Sequence, residues 1–383
     1  MNAAAFQDVA TAALAGAAVG DALGGAAEGN TPEAIQQRYG GTIEGIVGPF
    51  LDDWRHARPI APYHKGDGHV TDDTLMTNLL VDVYAHVRRH LTAHDIAEHL
   101  VPRMIGEVQW IPELEAEALP LHRVFLAEKW LVARLHYGHI DPREAGVGNV
   151  VNCGATMYMG PVGLVNAGDA QGAYAEAIDI AGAHQSSYGR EAAGVFAAAV
   201  AAAAAPGATI DGVLDAAIGL ARDGTRAAVE ATVEAGRRLD GWRDGGLAAL
   251  RDAVRPYDTV GETYRQPAMD ARLPSRTKAI EELPVALGLL AACDGDYREA
   301  VLGAVNYGRD SDSIAVMAGT IAGALGGPDA VPAEWIDAVG EASRLDLRAP
   351  GAVIADVAAA VWSADAERHA ARSSAVAALG LDR

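Results

Sequence analysis

The sequence predicts an all-α fold, and three observations lead to that prediction. Half of the 383 residues are hydrophobic and only 5% are aromatic. Alanine, the strongest helix former and a poor strand former, dominates the apolar set. Apolar residues recur at helical spacing along most of the chain, whereas alternating strand patterns in series, fixed repeats and splitting linkers are absent. We therefore expect a single compact orthogonal helical domain over residues 1–383.

The first predicted helix covers residues 5–24 and carries glycines four apart on one face, at Gly16, Gly20 and Gly24. Because glycine weakens a helix by about 1 kcal/mol, three in register predict that another backbone packs closely against this face. A short helix begins at Thr31-Pro32-Glu33, where proline suits the first turn. The Gly- and Pro-rich segment 40–68 predicts a long loop, and long loops tend to be functional.

The later helices are predicted from apolar stripes and helix-starting residues. The next one has its N-cap at Thr71 or Asp72 and a stripe from Leu75 to Val87. A polar, proline-containing loop is expected at 255–277. The remaining helices are predicted at 93–106, 122–137, 169–182, 191–205, 210–222, 225–239, 246–254, 279–292, 296–306, 314–325, 333–343 and 350–378.

The composition disfavours several classes of partner. The chain has 30 basic and 51 acidic side chains, a net charge of −21, and such a surface repels nucleic acid and anionic membranes. The apolar run 195–205 is shorter than the roughly 20 residues that a bilayer requires, which predicts a buried helix. Cys153 and Cys293 form no CxxC pair, and the start MNAAAFQDVA lacks the basic region of a signal peptide. We expect a cytoplasmic protein without nucleic-acid or membrane partners, and the oligomeric state stays open, a monomer included.

Two short acidic clusters lie far apart, each at the predicted start of a helix: Thr71-Asp72-Asp73-Thr74 and Asp310-Ser311-Asp312-Ser313. Residues at a helix entry point in different directions, so two such corners together could surround a hard cation with oxygens. Mg²⁺ prefers about six oxygen ligands at roughly 2.1 Å, and Mn²⁺ accepts the same donors. Two ions about 3.5–4 Å apart can polarise a substrate and position a water. On spacing alone, ordinary N-caps explain the clusters better.

The residues around these clusters resemble the ADP-ribosylglycohydrolase family, which includes the hydrolase that reactivates ADP-ribosylated dinitrogenase reductase. Residues 15–24, AGAAVGDALG, followed by Glu28, resemble the family's opening. Residues 68–74, GHVTDDT, are similar to its first metal motif, and residues 304–315, AVNYGRDSDSIA, followed by Gly319 and Gly323, to its second. The resemblance spans about residues 8–328, and the C-terminal helices over 331–383 carry no recognised motif.

The resemblance implies a metal-dependent hydrolase whose central cleft holds two Mg²⁺ or Mn²⁺ ions. The implied reaction is cleavage of a glycosidic bond at C1 of a ribose, in an ADP-ribosylated protein or an ADP-ribosyl small molecule. Glu28, Asp73 and Asp312 are the implied catalytic residues. Ser313 stands where the family usually has threonine. The implied metal ligands are Thr71, Asp72, Asp73, Asp310, Asp312 and Ser313.

The candidate substrate-binding positions depart from the family pattern. The family often shows Asn-Gly-x-x-Met-Arg, whereas here Cys153 replaces the asparagine and Tyr158 the arginine. Arg309 replaces a glycine inside the second metal motif, and His184 resembles a family histidine that follows a helix. The implied substrate-binding residues are Asn152, Cys153, Gly154, Tyr158, His184 and Arg309.

These departures leave other functions open. One alternative is an N-glycosidase that acts on a small nucleoside or a specialised metabolite. Another is a non-catalytic structural member of the family, although the retained carboxylates argue against it. A phosphotransfer enzyme would need a phosphate-binding loop, and no GxxxxGK[ST] occurs.

Two further residues are interpreted as structural. Asp21 lies inside the glycine-rich first helix. Glu282, in Glu282-Leu283-Pro284, is interpreted as an acid that complements a helix dipole in the first turn. A nucleophilic role for Cys153 is disfavoured, because the sequence places no histidine to activate it.

Overall fold

Helices make up most of the computed structural model, which describes residues 3–57, 63–258 and 279–380. The predicted all-α fold, a single compact helical domain, is confirmed. In chain order the helices are α1 (Ala3–Gly25), α2 (Pro32–Tyr39), α3 (Asp72–Val87), α4 (Ala93–Asp95), α5 (Val101–Gly106), α6 (Pro120–Arg123), α7 (Leu126–Leu131), α8 (Gly160–Val165), α9 (Ala170–Ala181), α10 (Ser187–Ala203), α11 (Ile210–Leu220), α12 (Asp223–Gly236), α13 (Gly246–Val254), α14 (Ala279–Ala292), α15 (Tyr297–Tyr307), α16 (Ser311–Gly326), α17 (Ala333–Ser343) and α18 (Ala349–Ala378).

Several helical segments are irregular. A π-helical turn, Ile96–Leu100, joins α4 to α5, so the helix predicted at 93–106 is continuous but not uniformly α-helical. The helix predicted at 122–137 is broken between α6 and α7 and ends in a π-helical turn, Val132–Tyr137. Short 3₁₀ turns occur at Pro112–Leu114, Pro142–Glu144, Cys153–Ala155, Arg255–Tyr257 and Gly327–Asp329.

The sequence missed three short elements. Strands β1 (Gln109–Ile111) and β2 (Ala116–Ala118) form an antiparallel hairpin with Gln109 opposite Ala118. A strand of three residues is too short for the alternation of apolar and polar side chains to be recognised in the sequence. Helix α8 was missed as well, since its six residues include two glycines and a proline. The loop predicted at 255–277 begins with a 3₁₀ turn, and its part from 259 onward lies outside the described residues.

Helices α1 and α16 pack backbone against backbone, as the three glycines of α1 predict. A Cβ atom on Gly16 would lie 2.8 Å from the carbonyl oxygen of Gly319, and one on Gly20 would lie 2.4 Å from that of Ala315. A Cβ on Gly24 would lie 2.5 Å from the Cα of Asp312. The glycines therefore bring the N-terminal helix against the start of α16, where the second acidic cluster lies.

Helix α18 packs with its first half against α1, α3 and α8. Beyond Trp362 most of its residues are exposed. Within the described parts of the chain, no single helix is long and apolar enough to span a membrane. Ser311–Asp329 and Ala333–Ser343 pass that test only as a pair, bent by 119°.

Candidate metal centre

The first acidic cluster is fixed by a buried carboxylate from α1. Thr71 is the N-cap of α3, and its hydroxyl accepts a hydrogen bond from the backbone of Asp73. Asp21 is fully buried and accepts hydrogen bonds from the backbone N–H groups of Thr71, at 2.9 Å, and Thr74, at 3.1 Å. Burial raises the pKa of Asp21 to about 6. Asp21 thus holds the entrance of α3 in place, in agreement with its structural interpretation.

The second acidic cluster follows a strained turn. Gly308 and Arg309 both have positive φ, at 67° and 58°, a conformation that glycine adopts most easily. The backbone of Arg309 donates to the carbonyl of Asn30 at 2.7 Å and accepts from the N–H of Gly29 at 2.6 Å. This pair of hydrogen bonds ties the turn to the segment that carries Glu28.

The two clusters meet in the folded protein. The hydroxyl of Ser313 donates to Oδ1 of Asp73 at 3.0 Å, across 240 positions of sequence. Carboxylate oxygens of Glu28, Asp310 and Asp312 lie within 4.8 Å of one another. Asp310 makes no side-chain capping hydrogen bond to α16, so a helix cap does not account for it.

The electrostatics of this cluster favour a cation. Burial, followed by repulsion from Asp21, Asp72 and Asp310, raises the pKa of Asp73 well above its usual value. Burial, followed by repulsion from Glu28, raises the pKa of Asp312 in the same way. The donors are carboxylate and hydroxyl oxygens, which suit hard divalent cations such as Mg²⁺ and Mn²⁺. The residues present therefore fit the implied metals.

Asp72 differs from the other acids because both of its oxygens are already engaged. Arg123 donates to Oδ1 at 2.8 Å, and the backbone of Phe125 donates to Oδ2 at 2.9 Å. Arg123 is buried, also pairs with Glu113 and lies 4.3 Å from the ring centre of Tyr63. Burial alone would lower the pKa of Arg123, but its two acidic partners raise it above the ordinary value. Asp72 would bind a cation only through its remaining lone pairs, in an orientation set by Arg123.

A cavity of about 540 Å³, including its open mouth, lies over the cluster. Nine of the predicted site residues line it: Glu28, Asp72, Asp73, Asn152, Cys153, Gly154, Asp310, Asp312 and Ser313. Six lining residues were not predicted: Tyr63, His64, Arg123, Phe125, Glu128 and Met157.

Four predicted site residues are placed away from the cavity wall. Thr71 acts as the N-cap of α3. Tyr158 and His184 are fully buried, and the hydroxyl of Tyr158 lies 3.0 Å from Nδ1 of His184. Arg309 lines a different cavity, because its guanidinium is drawn to Glu281 at 2.5 Å. Substrate contact by Tyr158, His184 and Arg309 therefore does not follow from their positions.

Cys153 lines the cavity beside the acids. Its Sγ is 3.3 Å from Oδ2 of Asp310 and 3.3 Å from the hydroxyl of Ser313. Burial and the nearby carboxylates raise the pKa of the thiol well above its usual value. Because a thiolate is the nucleophilic form, this environment does not favour covalent catalysis by Cys153.

Two residues near the cluster were misjudged or missed in the sequence. Glu282 is buried, and one of its oxygens lies within 4.8 Å of ligand atoms of Cys153 and Asp310. Glu282 does lie in the first turn of α14, as predicted. Its interpretation as an acid that complements the helix dipole did not predict that it lies close to the acidic cluster. His64 contacts Glu28 at 3.1 Å. His64 lies in the long loop, where no sequence pattern marks it as a site residue.

The comparisons with known proteins agree with this geometry. A family model described as ADP-ribosylglycohydrolase matches residues 2–371. The chain belongs to the ADP-ribosylglycohydrolase family. The match extends beyond the predicted span of 8–328 and includes most of α18. Membership in this family supports a hydrolase of glycohydrolase type, and the family is generally metal-dependent and acts on ADP-ribosylated substrates.

A solved structure described as "ADP-ribosylglycohydrolase-related protein complex" is similar to this chain. It has a TM-score of 0.60 and 19% sequence identity, and the alignment covers 93% of this chain and 99% of the other. At this identity the likeness shows the fold alone. No curated protein matches the chain.

Proposed function

We propose that the protein is a metal-dependent hydrolase that cleaves a ribosyl glycosidic bond and releases ADP-ribose from a modified protein or an ADP-ribosyl small molecule. One observation carries the proposal: two acidic motifs 240 residues apart meet at one cavity, where Ser313 bonds to Asp73. Buried carboxylates so close together repel one another, and a bound cation offsets that repulsion.

The cations would be held by Asp73, Asp310, Asp312 and Ser313, with Glu28 at the rim and Asp72 through its remaining lone pairs. When bound, two divalent cations would supply Lewis-acid polarisation of the ribose hydroxyls and stabilise developing charge. All of these residues line the cavity. The ribose is therefore oriented with its hydroxyls toward the cluster.

Glu28 is proposed as the general base. It lies at the edge of the cluster, is partly exposed, and contacts His64, which restricts its orientation. The oxygen of an attacking water forms a bond to C1 while the bond from C1 to the leaving group breaks. One proton of the water passes to Glu28, and Glu28 then releases that proton to the leaving group, which returns Glu28 to its ionised form. Oxocarbenium character at C1 is stabilised by the surrounding carboxylates.

The test is an assay of the purified protein with Mn²⁺ on a panel of substrates. The panel contains ADP-ribosyl-arginine, ADP-ribosyl-serine, O-acetyl-ADP-ribose and common nucleosides. Release of free ADP-ribose from any of the first three supports the proposal. The matched variant is Asp312→Ala, which we expect to lose activity at least 100-fold. Normal turnover by this variant on a confirmed substrate would rule out the metal mechanism.

A second candidate is an N-glycosidase for a small nucleoside or a specialised metabolite. It is favoured by the cavity wall, where Cys153 replaces the family's asparagine and where Tyr158 and Arg309 do not reach. In the same assay, release of free base without ADP-ribose would establish this candidate. If the protein binds no metal and hydrolyses no compound of the panel, it is a non-catalytic member of the family.

A further inference from the structure

Glu128 is a buried carboxylate on the cavity wall that neither the acidic motifs nor the proposed chemistry uses. It lies in the short helix α7, lines the cavity and is only 1% exposed. Within the described parts of the chain, its Oε2 atom is buried and has no hydrogen-bond partner. Leaving a buried neutral polar group without a hydrogen bond destabilises a protein by about 1–3 kcal/mol, and a charged oxygen costs more. The folded protein without a ligand therefore carries this destabilisation at Glu128.

The neighbouring groups do not supply the missing donor. Nε2 of His184 lies 3.0 Å from the carbonyl oxygen of Ala127 and 3.4 Å from Oε1 of Glu128. Because a carbonyl can only accept, Nε2 carries the proton and directs it to Ala127. Nδ1 then accepts from the hydroxyl of Tyr158. The described partners of the two ring nitrogens thus leave Oε2 of Glu128 without a donor.

The position of the Glu128 carboxylate depends on the absence of a side chain at Gly154. A Cβ atom at position 154 would lie 2.4 Å from Oε1 of Glu128, so any side chain there would displace it. Arg123 is the one lysine or arginine among the described lining residues, and it is paired with Asp72 and Glu113. The cavity thus presents Glu128 as an acceptor without a protein cation.

We propose that Glu128 accepts a hydrogen bond from an N–H donor of the substrate and so positions it in the cavity. The inference rests on the proposed function, in which the ribose hydroxyls face the acidic cluster and are used there. The N–H donors of an ADP-ribosyl compound lie in the leaving group and in the amino group of the nucleobase. Its other donors are the hydroxyls of the second ribose, and an equal loss of affinity for ADP-ribose and for its analogue in the test below would point to those hydroxyls and overturn the N–H assignment. Phosphate oxygens only accept, so the carboxylate repels them from this wall.

The test compares Glu128→Gln with the wild type, both loaded with Mn²⁺. The first measurement is thermal unfolding without ligand, where we expect an unchanged or higher midpoint, because the variant removes an unpaired buried charge. The second is binding of ADP-ribose and of its purine analogue, in which a hydrogen atom replaces the amino group. The third is kcat and KM on arginine-linked and serine-linked ADP-ribose.

The two nitrogen sources give different results. If the base amino group is the donor, the variant binds ADP-ribose about 10- to 100-fold more weakly, while the analogue binds wild type and variant alike. If the leaving group is the donor, Glu128→Gln lowers kcat/KM by a similar factor, mainly through a higher KM. This loss is then confined to the arginine-linked substrate.

The matched control is Glu176→Gln. Glu176 is a buried glutamate outside the cavity lining, with described hydrogen bonds from Tyr84, Asn166 and the backbone of Leu91. We expect this variant to unfold at a lower temperature and to bind ADP-ribose normally. The same pattern for Glu128→Gln, or less than twofold change on every ligand and substrate, overturns the inference. A wild type that neither binds ADP-ribose nor releases it overturns the proposed function, and the inference with it.

Discussion

Asp73 illustrates how one side chain links the two halves of the candidate centre. It belongs to the first motif, it accepts a hydrogen bond from Ser313 of the second, and three neighbouring carboxylates raise its pKa after burial itself. Without a cation, this position opposes folding. With a cation, the same charge becomes a ligand, because a metal compensates both burial and repulsion.

The first prediction concerns Asp73→Asn. In the presence of a chelator at neutral pH, the variant should unfold at a temperature equal to or above that of the wild type, since one repelling charge is removed. With Mn²⁺, the wild type should gain at least a few degrees and the variant much less. Thermal unfolding under both conditions measures this.

The control for that experiment is Asp8→Asn, because Asp8 is exposed. This variant should follow the wild type under both conditions. An equal gain from Mn²⁺ for Asp73→Asn and the wild type would show that Asp73 is not a metal ligand.

The sequence identified those residues that belong to recognisable motifs, and it missed those that depend on tertiary packing. Asp73 and Ser313 stand at helix entries with informative neighbours. Arg123 and Glu128 come from two short helices without any motif, and only the fold turns them toward the cavity. For the same reason Arg309, adjacent to Asp310, appeared closer to the substrate than its pairing with Glu281 allows.

At the scale of elements, the contact of α1 with α16 was the most predictable feature. Four-residue spacing places Gly16, Gly20 and Gly24 on one helix face, and only a close backbone explains why none carries a side chain. The partner could not be read from the spacing. Its identity as α16 matters for the site, because α16 begins at the acids that would bind the cations.

The second prediction tests this contact with Gly20→Ala. A Cβ there would lie 2.4 Å from the carbonyl oxygen of Ala315, so the two helices must move apart. We expect a loss of about 1–3 kcal/mol in unfolding free energy, together with at least a tenfold weaker affinity for Mn²⁺, because the start of α16 shifts away from Asp73. Denaturant unfolding and titration calorimetry give the two quantities.

The matched substitution is Gly219→Ala in the exposed part of α11, where nothing lies within 4 Å of the added Cβ. There the higher helix propensity of alanine should stabilise the protein by about 0.5–1 kcal/mol, without any effect on Mn²⁺. Equal behaviour of the two variants would mean that the close contact does not position the centre.

The third prediction concerns the attachment of α18 through His90. Its Nδ1 lies 2.6 Å from Glu176 of α9, and its Nε2 lies 3.1 Å from Asp365 of α18. The hydrogen bond with Glu176 and then the contact with Asp365 raise the pKa of His90 to about 9. Because the folded pKa exceeds the unfolded value of about 6.5, the stability from this pairing is complete below pH 6.5. It is lost as the pH rises through about 9.

His90→Asn should therefore lower the midpoint of thermal unfolding at pH 6–7, and its difference from the wild type should shrink as the pH approaches 10. His56→Asn serves as the control, since His56 is exposed and pairs with exposed Asp53. A difference for His90→Asn that does not change with pH would show that packing, and not charge, attaches α18.

At the scale of the whole molecule, the candidate centre joins segments from both ends of the sequence. Glu28 follows α1, Asp73 begins α3, and Asp310 and Asp312 flank the start of α16, while α18 returns to pack on α1. Alanine-rich helical periodicity was enough to predict the fold class. The order in which helices contact one another depends on side-chain shapes that periodicity does not describe. The prediction that the two acidic motifs lie close together came from the family resemblance.

The fourth prediction follows from this connectivity: the chain unfolds as one cooperative unit, as expected for the single domain predicted over residues 1–383. Since the first and last helices share a core, neither half can keep its buried surface alone. Calorimetry should give one transition with equal calorimetric and van't Hoff enthalpies. Mn²⁺ at about 100 times its dissociation constant should add about 2.7 kcal/mol and shift the whole transition upward. Two transitions, of which Mn²⁺ moves only one, would instead divide the chain into two domains with the centre in one of them.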